Sequence, residues 1–324
     1  MRKIIVLNVG APSVLEVTEV ATPQISAGQA LVRVEVAGIN FLDVYQRQGV
    51  ISAPRPFTPG FEGVGTVIEA GAGDAAPRPG ARVAWINNFG SYADVVLVPF
   101  DQLIPIPQDF AISAGLLFQG VTAQYLIREY RTIAPSDVVL VHSAAGGVGQ
   151  VLVQWAKHLG ARVIATASTD KKLEIARKLG ADTLINYSRE SFREKVLDAT
   201  EGHGADLVFD AVGAKTFSES VASLAPRGTA VSYGFASGAP GPVEMEALIH
   251  KAARVAAGSV FAYISNPSEM RRRASEVLRG IEDGWLRPSR VQTFTLEDAP
   301  EAHRLLEGRF SDGKLALIPQ GQQT

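Results

Sequence analysis

The chain has 324 residues, of which 46% are hydrophobic and 20% are charged, so it holds enough apolar material for the cores of two globular domains. Its 31 basic and 33 acidic residues leave a net charge of −2, which gives no reason to expect nucleic acid or an anionic membrane as a partner. Cysteine is absent, and this excludes disulfides, thiol catalysis and thiolate metal sites.

The beginning of the chain, "MRKIIVLNVGAPS", has an apolar run that is too short for a signal peptide. No stretch approaches the roughly 18 apolar residues of a membrane span. We therefore expect a cytoplasmic protein.

Residues 1 to about 110 have the pattern of a β-rich domain. Short segments rich in β-branched residues alternate with Gly and Pro clusters such as "SAPRPFTPG". The predicted strands are "KIIVLNV", "ALVRVEVAGI", "GVGTVIEA", "ARVAWI" and "YADVVLV". This pattern predicts an antiparallel or barrel-like fold.

From about residue 136, strand-like and helix-like segments alternate. The six strand-like runs are "DVVLVH", "ARVIATAS", "TLINY", "ADLVFDAV", "GTAVSYGF" and "RVAAGSVF". Alternation of this kind needs crossover connections and predicts an α/β fold with a doubly wound parallel sheet. After about residue 265 come a helix, a short strand, a helix and the final strand "GKLALIP", and we expect this tail to rejoin the first domain.

Residues 142–150, "HSAAGGVGQ", follow the first strand of this series and lead into a helix. Small residues in such a turn let the backbone approach a pyrophosphate, and the helix N-terminus supplies N–H donors. Ala144 stands where the usual first glycine would be. We expect His142, just before the turn, to pack or to form a hydrogen bond there.

The end of the second strand of the series indicates which dinucleotide is bound. NAD enzymes usually carry an acidic residue there for the ribose 2′-hydroxyl, but this chain has Ala167. The following hydroxyls and the cation Lys172 form a plausible pocket for a 2′-phosphate. Asp170 is interpreted as the N-cap of the next helix. The pattern predicts NADPH.

Several segments together resemble the zinc-free quinone oxidoreductases, the zeta-crystallin-like branch of the medium-chain dehydrogenase/reductase superfamily. They include "VAGINFLDVYQRQG", "PGFEGVGTVIEAG", "GVTAQYLI", "VHSAAGGVGQVLVQWAKHLGA" and "ADLVFDAVG". The resemblance implies a GroES-like β-rich catalytic domain over 1–117 and 262–324, a Rossmann domain over 118–261, and an active site in the cleft between them. It also implies a homodimer that pairs edge strands such as "RVAAGSVF". In this branch, alanine at the position of Ala144 is usual.

The resemblance also implies which residues contact the cofactor. Those expected in the first loop are Asn40, Phe41, Asp43 and Tyr45, and Tyr125 follows later in the chain. The expected contacts in the glycine turn are Ala145, Gly146, Gly147 and Val148, and those around the 2′-phosphate and adenosine are Ser168, Lys172 and Tyr187. The ribose and nicotinamide are expected to lie against Val212, Phe235, Phe261, Ala262 and Arg309.

Zinc-dependent relatives ligate a catalytic metal with Cys, His and Cys. The corresponding positions here are Asn40, Phe61 and Gln119, none of which is a good zinc ligand. The five histidines are scattered and show no HExxH-type pairing. We therefore expect no metal.

Without a metal to polarise an alcohol or ketone oxygen, the expected acceptors are electrophilic by themselves: quinones and α,β-unsaturated carbonyl compounds. The candidate catalytic residues are Asn40, Tyr45 and Gln119, which could stabilise the developing charge on oxygen. Tyr45 could donate a proton, but it could equally be a packing residue. Ile51 stands where related sequences often have a second tyrosine, which makes one wall of the acceptor pocket more apolar.

Two other functions remain open from the sequence. One is an enoyl-thioester reductase of the same superfamily, and the other is a non-catalytic NADPH-binding protein that acts as a sensor or a structural protein. A short-chain dehydrogenase is excluded because the chain has no YxxxK pair.

Overall fold

The computed structural model describes residues 1–107, 117–288, 290–308, 310–311 and 313–319. The chain forms two compact units. The β-rich unit comprises Met1–Phe118 and Pro288–Thr324, and the parallel-sheet unit comprises Gln119–Arg287.

The secondary structure elements are numbered along the chain. The strands are β1 (Arg2–Ile5), β2 (Glu16–Glu19), β3 (Gln29–Ile39), β4 (Glu62–Ala70), β5 (Arg82–Trp85), β6 (Val95–Pro99), β7 (Ile104–Pro105), β8 (Val138–Val141), β9 (Arg162–Ala167), β10 (Thr183–Asn186), β11 (Ala205–Asp210), β12 (Leu224–Ser232), β13 (Arg254–Ala257), β14 (Val291–Phe294) and β15 (Lys314–Leu317). The α-helices are α1 (Phe41–Gln48), α2 (Leu117–Glu129), α3 (Gly147–His158), α4 (Asp170–Lys178), α5 (Phe192–Ala199), α6 (Phe217–Ala222), α7 (Met245–Ile249), α8 (Val260–Ile264), α9 (Pro267–Glu282) and α10 (Ala299–Glu307). Short 3₁₀ turns lie at Pro12–Val14 and Phe100–Gln102.

The β-rich unit is built on a seven-stranded sheet with the order β14-β15-β3-β4-β5-β7, in which β6 also pairs with β3. All pairs are antiparallel except β14 with β15. Its core contains Ile4, Val32, Trp85, Leu296 and Leu315, each at most 2% exposed. Each predicted strand of the first domain is present, but β1 ends at Ile5, before the end of its predicted run, and β2 and β7 were not predicted. The tail contributes β14 and β15 to this sheet, as expected.

The parallel-sheet unit has one six-stranded sheet in which every pair is parallel, with the order β10-β9-β8-β11-β12-β13. This is the doubly wound order, with β8 taking the first position. All four residues of β8 are buried, as expected for a strand covered by helices on both faces. The predicted α/β fold is confirmed. The last predicted run was too long, because β13 ends at Ala257 and the "VF" of that run begins α8.

The chain returns to the β-rich unit between Arg287 and Pro288, whereas the sequence predicted this boundary at 262. Helix α9 explains the difference, because it packs against α2 within the parallel-sheet unit. A Cβ atom at Gly120 would lie 2.6 Å from Val277 Cγ1, so the glycine allows the two helices to approach closely.

The contact between α2 and α9 is also polar. The guanidinium of Arg273, which is 2% exposed, donates to Gln124 Oε1 at 2.6 Å and to Glu129 Oε1 at 2.7 Å. Buried polar partners of this kind tie α9 to the unit that contains α2.

Among the described residues, no helix is both long and apolar enough to cross a membrane.

Candidate functional site

The turn between β8 and α3 has the predicted strand–turn–helix geometry. Strand β8 ends at Val141 and α3 begins at Gly147, preceded by Gly146 in an extended conformation (φ −74°, ψ 165°). A Cβ atom at Gly149 would lie 2.8 Å from Ala144 Cα, so this glycine lets the helix pack against the turn. The start of α3 therefore combines small side chains, first-turn N–H groups and the positive end of a helix dipole, which together suit a pyrophosphate.

The alanine in place of the first glycine is buried. Ala144 is 0% exposed, and its N–H donates to the carbonyl oxygen of Thr166 on β9 at 3.1 Å. Its methyl group is accommodated inside the unit, so the substitution leaves the turn intact. The contacts predicted for residues 145–148 lie together at the start of α3, and their binding of a cofactor stays a prediction.

Gln119, a predicted catalytic residue, lies against the same helix start. A Cβ atom at Gly147 would collide with the Gln119 amide, so the glycine leaves room for it. Gln119 Oε1 is buried and has no hydrogen-bond partner within the described part of the chain. A buried oxygen of this kind is a place where a bound ligand can supply the missing donor, so this observation fits a dinucleotide at the turn.

A buried polar network surrounds His142. Its Nδ1 lies 2.8 Å from Thr166 Oγ1, and its Nε2 lies 2.9 Å from Ser220 Oγ. The hydroxyls of Ser220 and Thr216 donate to the Asp210 carboxylate at 2.8 Å. Burial lowers the pKa of His142, although the Asp210 charge opposes this, so the ring is neutral. The predicted packing and hydrogen-bonding role of His142 is confirmed.

Asp210 holds a turn of the candidate site, and the sequence analysis did not single it out. Its Oδ1 accepts the N–H groups of Val212 at 2.8 Å and Gly213 at 3.0 Å, and so fixes the turn after β11. That turn carries Val212, a predicted cofactor contact. The available signal was a single acidic residue at the end of the apolar strand "ADLVFD", at the sheet edge where ligands bind in this fold.

The residues predicted around a 2′-phosphate lie at one corner of the parallel-sheet unit. Ala167 ends β9 and is followed by Ser168, which is half-buried. The Thr169 hydroxyl accepts the N–H of Lys172 at 3.3 Å, which places Lys172 in the first turn of α4. The N–H of Tyr187 donates to the Ala167 carbonyl at 3.2 Å, and this brings the start of the loop after β10 to the same corner.

The predicted N-cap role of Asp170 is wrong. Thr169 is the N-cap of α4, because its extended backbone (φ −145°, ψ 152°) lets its hydroxyl reach back to the first turn. Asp170 is the first helical residue, and its carboxylate accepts from Asn186 Nδ2 and Arg189 Nη1, each at 2.7 Å. These two partners, Asn186 first, lower the pKa of Asp170.

The predicted contacts to ribose and nicotinamide differ in exposure. Val212 is 4% exposed, whereas Phe235 is 44% and Phe261 36% exposed. Phe261 and Ala262 lie on α8, not on a strand. Arg309 lies outside the described residues.

Tyr125 is enclosed, with 1% of its surface exposed. Its ring stacks on Tyr263 with the ring centroids 4.5 Å apart. Burial, together with the neighbouring tyrosines, raises the pKa of Tyr125, so the hydroxyl is protonated. Its predicted contact with a cofactor stays a prediction.

In the β-rich unit, Asn40 lies between β3 and α1 and is 6% exposed. Its backbone N–H donates to Asp43 Oδ2 at 2.8 Å, and Asp43 is the third residue of α1. Its side-chain Nδ2 donates to Glu62 Oε1 at 3.0 Å, and its Oδ1 accepts from Lys314 Nζ at 2.9 Å. The predicted oxyanion donor is therefore already bound to two charged side chains of its own unit.

Tyr45 and Ile51 are joined by a backbone hydrogen bond at the end of α1. The carbonyl oxygen of Tyr45 accepts the N–H of Val50 at 2.9 Å and that of Ile51 at 3.2 Å. The Tyr45 ring lies 6.0 Å from the ring of Phe41, measured between centroids, and both side chains are half-buried. The three predicted residues Phe41, Tyr45 and Ile51 are thus held by one helix and the turn that follows it.

Asp43 belongs to a chain of buried groups within the β-rich unit. The hydroxyl of Tyr92 lies 3.4 Å from Asp43 Oδ2 and 3.0 Å from His303 Nε2. Burial raises the pKa of Asp43 to about 7, opposed by the Asn40 N–H and the Lys314 charge. Burial, with the charge of Arg47, lowers the pKa of His303 to about 3. Asp43 is 0% exposed and therefore offers no surface to a ligand in this structure. Its predicted contact with a cofactor stays a prediction.

The positions of the zinc ligands in the β-rich unit do not fit a metal ion. Asn40 Oδ1 already accepts from the Lys314 ammonium, whose positive charge disfavours a second cation. Phe61 offers no lone pair, and its ring packs on Phe89 with centroids 4.1 Å apart. In the part of the chain that the structure describes, no group of three or more His, Cys, Asp or Glu residues could hold a metal ion.

Comparisons with known proteins agree with the fold and the glycine turn. Residues 26–108 match the family described as "Alcohol dehydrogenase GroES-like domain", and residues 147–278 match "Zinc-binding dehydrogenase". A 2-haloacrylate reductase from a Burkholderia species is 37% identical over 322 residues, covering 96% of this chain and 97% of the relative.

Two solved structures of quinone oxidoreductases are also similar. The protein from Pseudomonas syringae pv. tomato superposes with a TM-score of 0.93 at 34% identity, covering 98% of this chain and 99% of the other. The protein from Escherichia coli was solved in complex with NADPH and also gives a TM-score of 0.93. It is 33% identical, covering 98% of this chain and 100% of the other.

A doubly wound sheet with a glycine turn, joined to a GroES-like unit, defines a nucleotide-dependent oxidoreductase class. The chain belongs to the medium-chain dehydrogenase/reductase superfamily and, within it, to the quinone oxidoreductase branch. The predicted resemblance is confirmed.

Proposed function

We propose that this protein is a zinc-independent, NADPH-dependent reductase that transfers hydride to quinones or α,β-unsaturated carbonyl compounds. The observation that carries the proposal is the corner at the end of β9, where Ala167 replaces the usual carboxylate and Ser168, Lys172 and Tyr187 lie together. A carboxylate there would repel a 2′-phosphate, whereas a cation in the first turn of a helix attracts one. The NADPH complex of the similar Escherichia coli protein supports the same cofactor.

NADPH, when bound, supplies a hydride, and the acceptor takes up that hydride and one proton. The residues of this chain would bind the cofactor, orient the acceptor and protonate the reduced oxygen. Residues 145–148 would hold the pyrophosphate, and Gln119 Oε1 would accept a hydrogen bond from the cofactor. Tyr45 is the proposed proton donor to the reduced oxygen, because the Asn40 amide is already engaged by Glu62 and Lys314.

Two observations support the proposed class of acceptor: the names of similar proteins and the residues at the zinc-ligand positions. The relatives named quinone oxidoreductase favour quinones, and the relative named 2-haloacrylate reductase favours alkenes conjugated to a carbonyl group. Both classes are electrophilic without a Lewis acid, in keeping with Asn40 and Phe61 at positions where a zinc enzyme needs ligands. Ile51 next to the Tyr45 turn favours bulky apolar acceptors.

The proposed function is tested by a panel of acceptors with NADPH and with NADH. We expect steady NADPH oxidation with phenanthrenequinone or with a conjugated enone, little with NADH, and none with crotonyl-CoA. Turnover of crotonyl-CoA alone would favour the enoyl-thioester reductase. Tight NADPH binding without turnover of any acceptor would favour a sensor or structural protein.

Zinc independence is tested on the same preparation. We expect the purified protein to carry no stoichiometric zinc and to keep its activity after treatment with a chelator. Loss of bound zinc together with activity would contradict the proposal.

We also propose a homodimer. Strand β13 is at the edge of the parallel sheet, and an edge strand of this kind can pair with a second copy. Light scattering of the purified protein would measure the mass directly.

A further inference from the structure

We propose that Lys314 is a positioning residue that acts through Asn40 and Glu62 to fix the start of helix α1, and with it Phe41 and Tyr45. Asn40, Glu62 and Lys314 form the Lys314 cluster, which lies wholly within the β-rich unit. The effect on catalysis rests on the proposed function, whereas the effect on α1 does not.

The cluster is enclosed and directional. The side chains of Lys314 and Glu62 are 0% and 1% exposed, and Lys314 Nζ is paired with Glu62 Oε1. Asn40 Oδ1 faces the ammonium and Asn40 Nδ2 faces the carboxylate, so an inverted amide would meet a donor with a donor and an acceptor with an acceptor. The two charged groups therefore fix one orientation of the Asn40 side chain.

The cluster joins four segments of the unit. Asn40 is the single residue between β3 and α1, Glu62 begins β4 and Lys314 begins β15. The other carboxylate oxygen of Glu62 accepts the N–H of Phe118 at 3.1 Å. A Cβ atom at Gly38 would lie 2.6 Å from Glu62 Cδ, so the glycine in β3 is what allows the Glu62 side chain to lie across that strand.

Asn40 transmits this fixation to α1. It is the residue immediately before the helix, and its backbone N–H is held by Asp43 in the first turn. Tyr45 follows on the same helix, one turn beyond Phe41. A shift of Asn40 would therefore move Tyr45, whose hydroxyl we propose as the proton donor.

The Lys314 cluster acts by position and not by net charge, because the ammonium and the carboxylate neutralise each other. Removing Lys314 alone leaves a buried, uncompensated carboxylate, which destabilises the protein for a reason unrelated to catalysis. A useful test must separate these two effects, and the paired variant Lys314→Met with Glu62→Gln does so because it removes both charges together.

The test compares Lys314→Met, the double variant Lys314→Met/Glu62→Gln, and Arg82→Met. Arg82 pairs with Glu35 Oε2 at 2.7 Å across the same sheet. It is the matched control, since it lies opposite Thr66 of β4, four residues along that strand from Glu62. Five quantities are measured on the full chain: the thermal midpoint, the hydrogen exchange of the segment 41–48, the steady-state kcat and KM with phenanthrenequinone, and the NADPH dissociation constant.

We expect Lys314→Met to lower the thermal midpoint, to speed exchange over 41–48 and to lower kcat by about tenfold or more, since small misplacements of a reacting group are costly. In the double variant the midpoint should recover, while the fast exchange and low kcat persist. The NADPH dissociation constant should change much less than kcat in both, because α1 carries only some of the expected cofactor contacts and the glycine turn is in the other unit. Arg82→Met should change only the midpoint.

Recovery of kcat together with the midpoint in the double variant would overturn the inference, because Lys314 would then be important for stability alone. Unchanged exchange over 41–48 in Lys314→Met would also overturn it. If the wild-type protein reduces no acceptor, the proposed reductase function fails, and the exchange measurement still decides whether Lys314 positions α1.

Discussion

At the scale of single residues, we expect Lys172 to determine whether the protein prefers NADPH or NADH. It lies in the first turn of α4, beside Ser168 and the buried end of β9. We expect Lys172→Ala to weaken NADPH binding by about tenfold to a hundredfold, the usual loss for a charge-assisted hydrogen bond, and to change NADH binding little. Titration of each cofactor by fluorescence measures both constants.

Lys171→Ala is the control for this prediction, because Lys171 is the exposed neighbour on the same helix. It should weaken NADPH binding much less. Equal losses of NADPH and NADH affinity in Lys172→Ala would contradict the assignment of the 2′-phosphate.

Asp43 gives the stability of the protein a pH dependence of unusual sign. Its pKa is about 7 in the folded protein and near its ordinary value of 3.8 in the unfolded chain. Between these values the folded state binds more protons, so this carboxyl makes the protein less stable as the pH rises from 4 to 7. Asp43→Asn should therefore gain stability relative to the wild type over that range, by at most about 4 kcal/mol.

His303 works in the opposite direction and should hide this effect in the wild type. Its pKa is about 3 when folded against an ordinary 6.5, so its contribution makes the protein more stable as the pH rises from 3 to 6.5. Urea unfolding at a series of pH values measures the difference between variants. Asp74→Asn, at an exposed position, should follow the wild type, and a constant difference between Asp43→Asn and the wild type would refute the raised pKa.

The position of a residue was predictable from the sequence where the residues adjacent to it in the sequence determine that position. Ala167 and the glycine turn follow from their places after a strand and before a helix. The cap of α4 was misassigned by one residue, because Thr169 and Asp170 both suit that position and only the backbone angles separate them. Lys314 could not be connected with Asn40, because the two residues are 274 positions apart and meet only through sheet pairing.

At the scale of elements, α3 must lie close to the turn before it. A Cβ atom at Gly149 would approach both the Ser143 backbone and Ala144 Cα, so Gly149→Ala must push the helix away from the turn. We expect a loss of about 1 to 3 kcal/mol in the free energy of unfolding, as is typical of overpacking, together with weaker NADPH binding. Chemical denaturation and cofactor titration measure the two effects.

Gly241→Ala provides the control, because a Cβ atom there meets no atom within 4 Å. Its stability and cofactor affinity should stay close to the wild type. Unchanged NADPH affinity in Gly149→Ala would show that the position of α3 does not determine binding.

The type and order of the elements were largely predictable, because hydrophobic periodicity and Gly and Pro punctuation are local signals. The attachment of α9 was not. Its apolar face would suit either unit, and the choice depends on Arg273 meeting Gln124, which is 149 positions away. Only the folded structure shows such a partner.

At the scale of the whole molecule, the later boundary predicts which fragment can fold alone. A fragment of residues 119–287 contains the complete parallel sheet and α9, so it should unfold cooperatively and bind NADPH. A fragment of residues 119–261 leaves Gln124 and Glu129 without Arg273 and removes the buried Met270 and Val277. It should be unstable.

Circular dichroism during heating and cofactor titration of both fragments measure these outcomes. Equal stability of the two fragments would contradict the boundary after Arg287.

The position of β15 along the chain has a consequence for how the protein is made. β15 pairs with β3, yet it follows the entire parallel-sheet unit in the chain. During synthesis, the ribosome releases β3 and β4 first, the parallel-sheet unit next and Lys314 last. We expect the parallel-sheet unit to fold while translation continues, whereas Glu62 and Asn40 can meet their ammonium partner only after that whole unit has been synthesised.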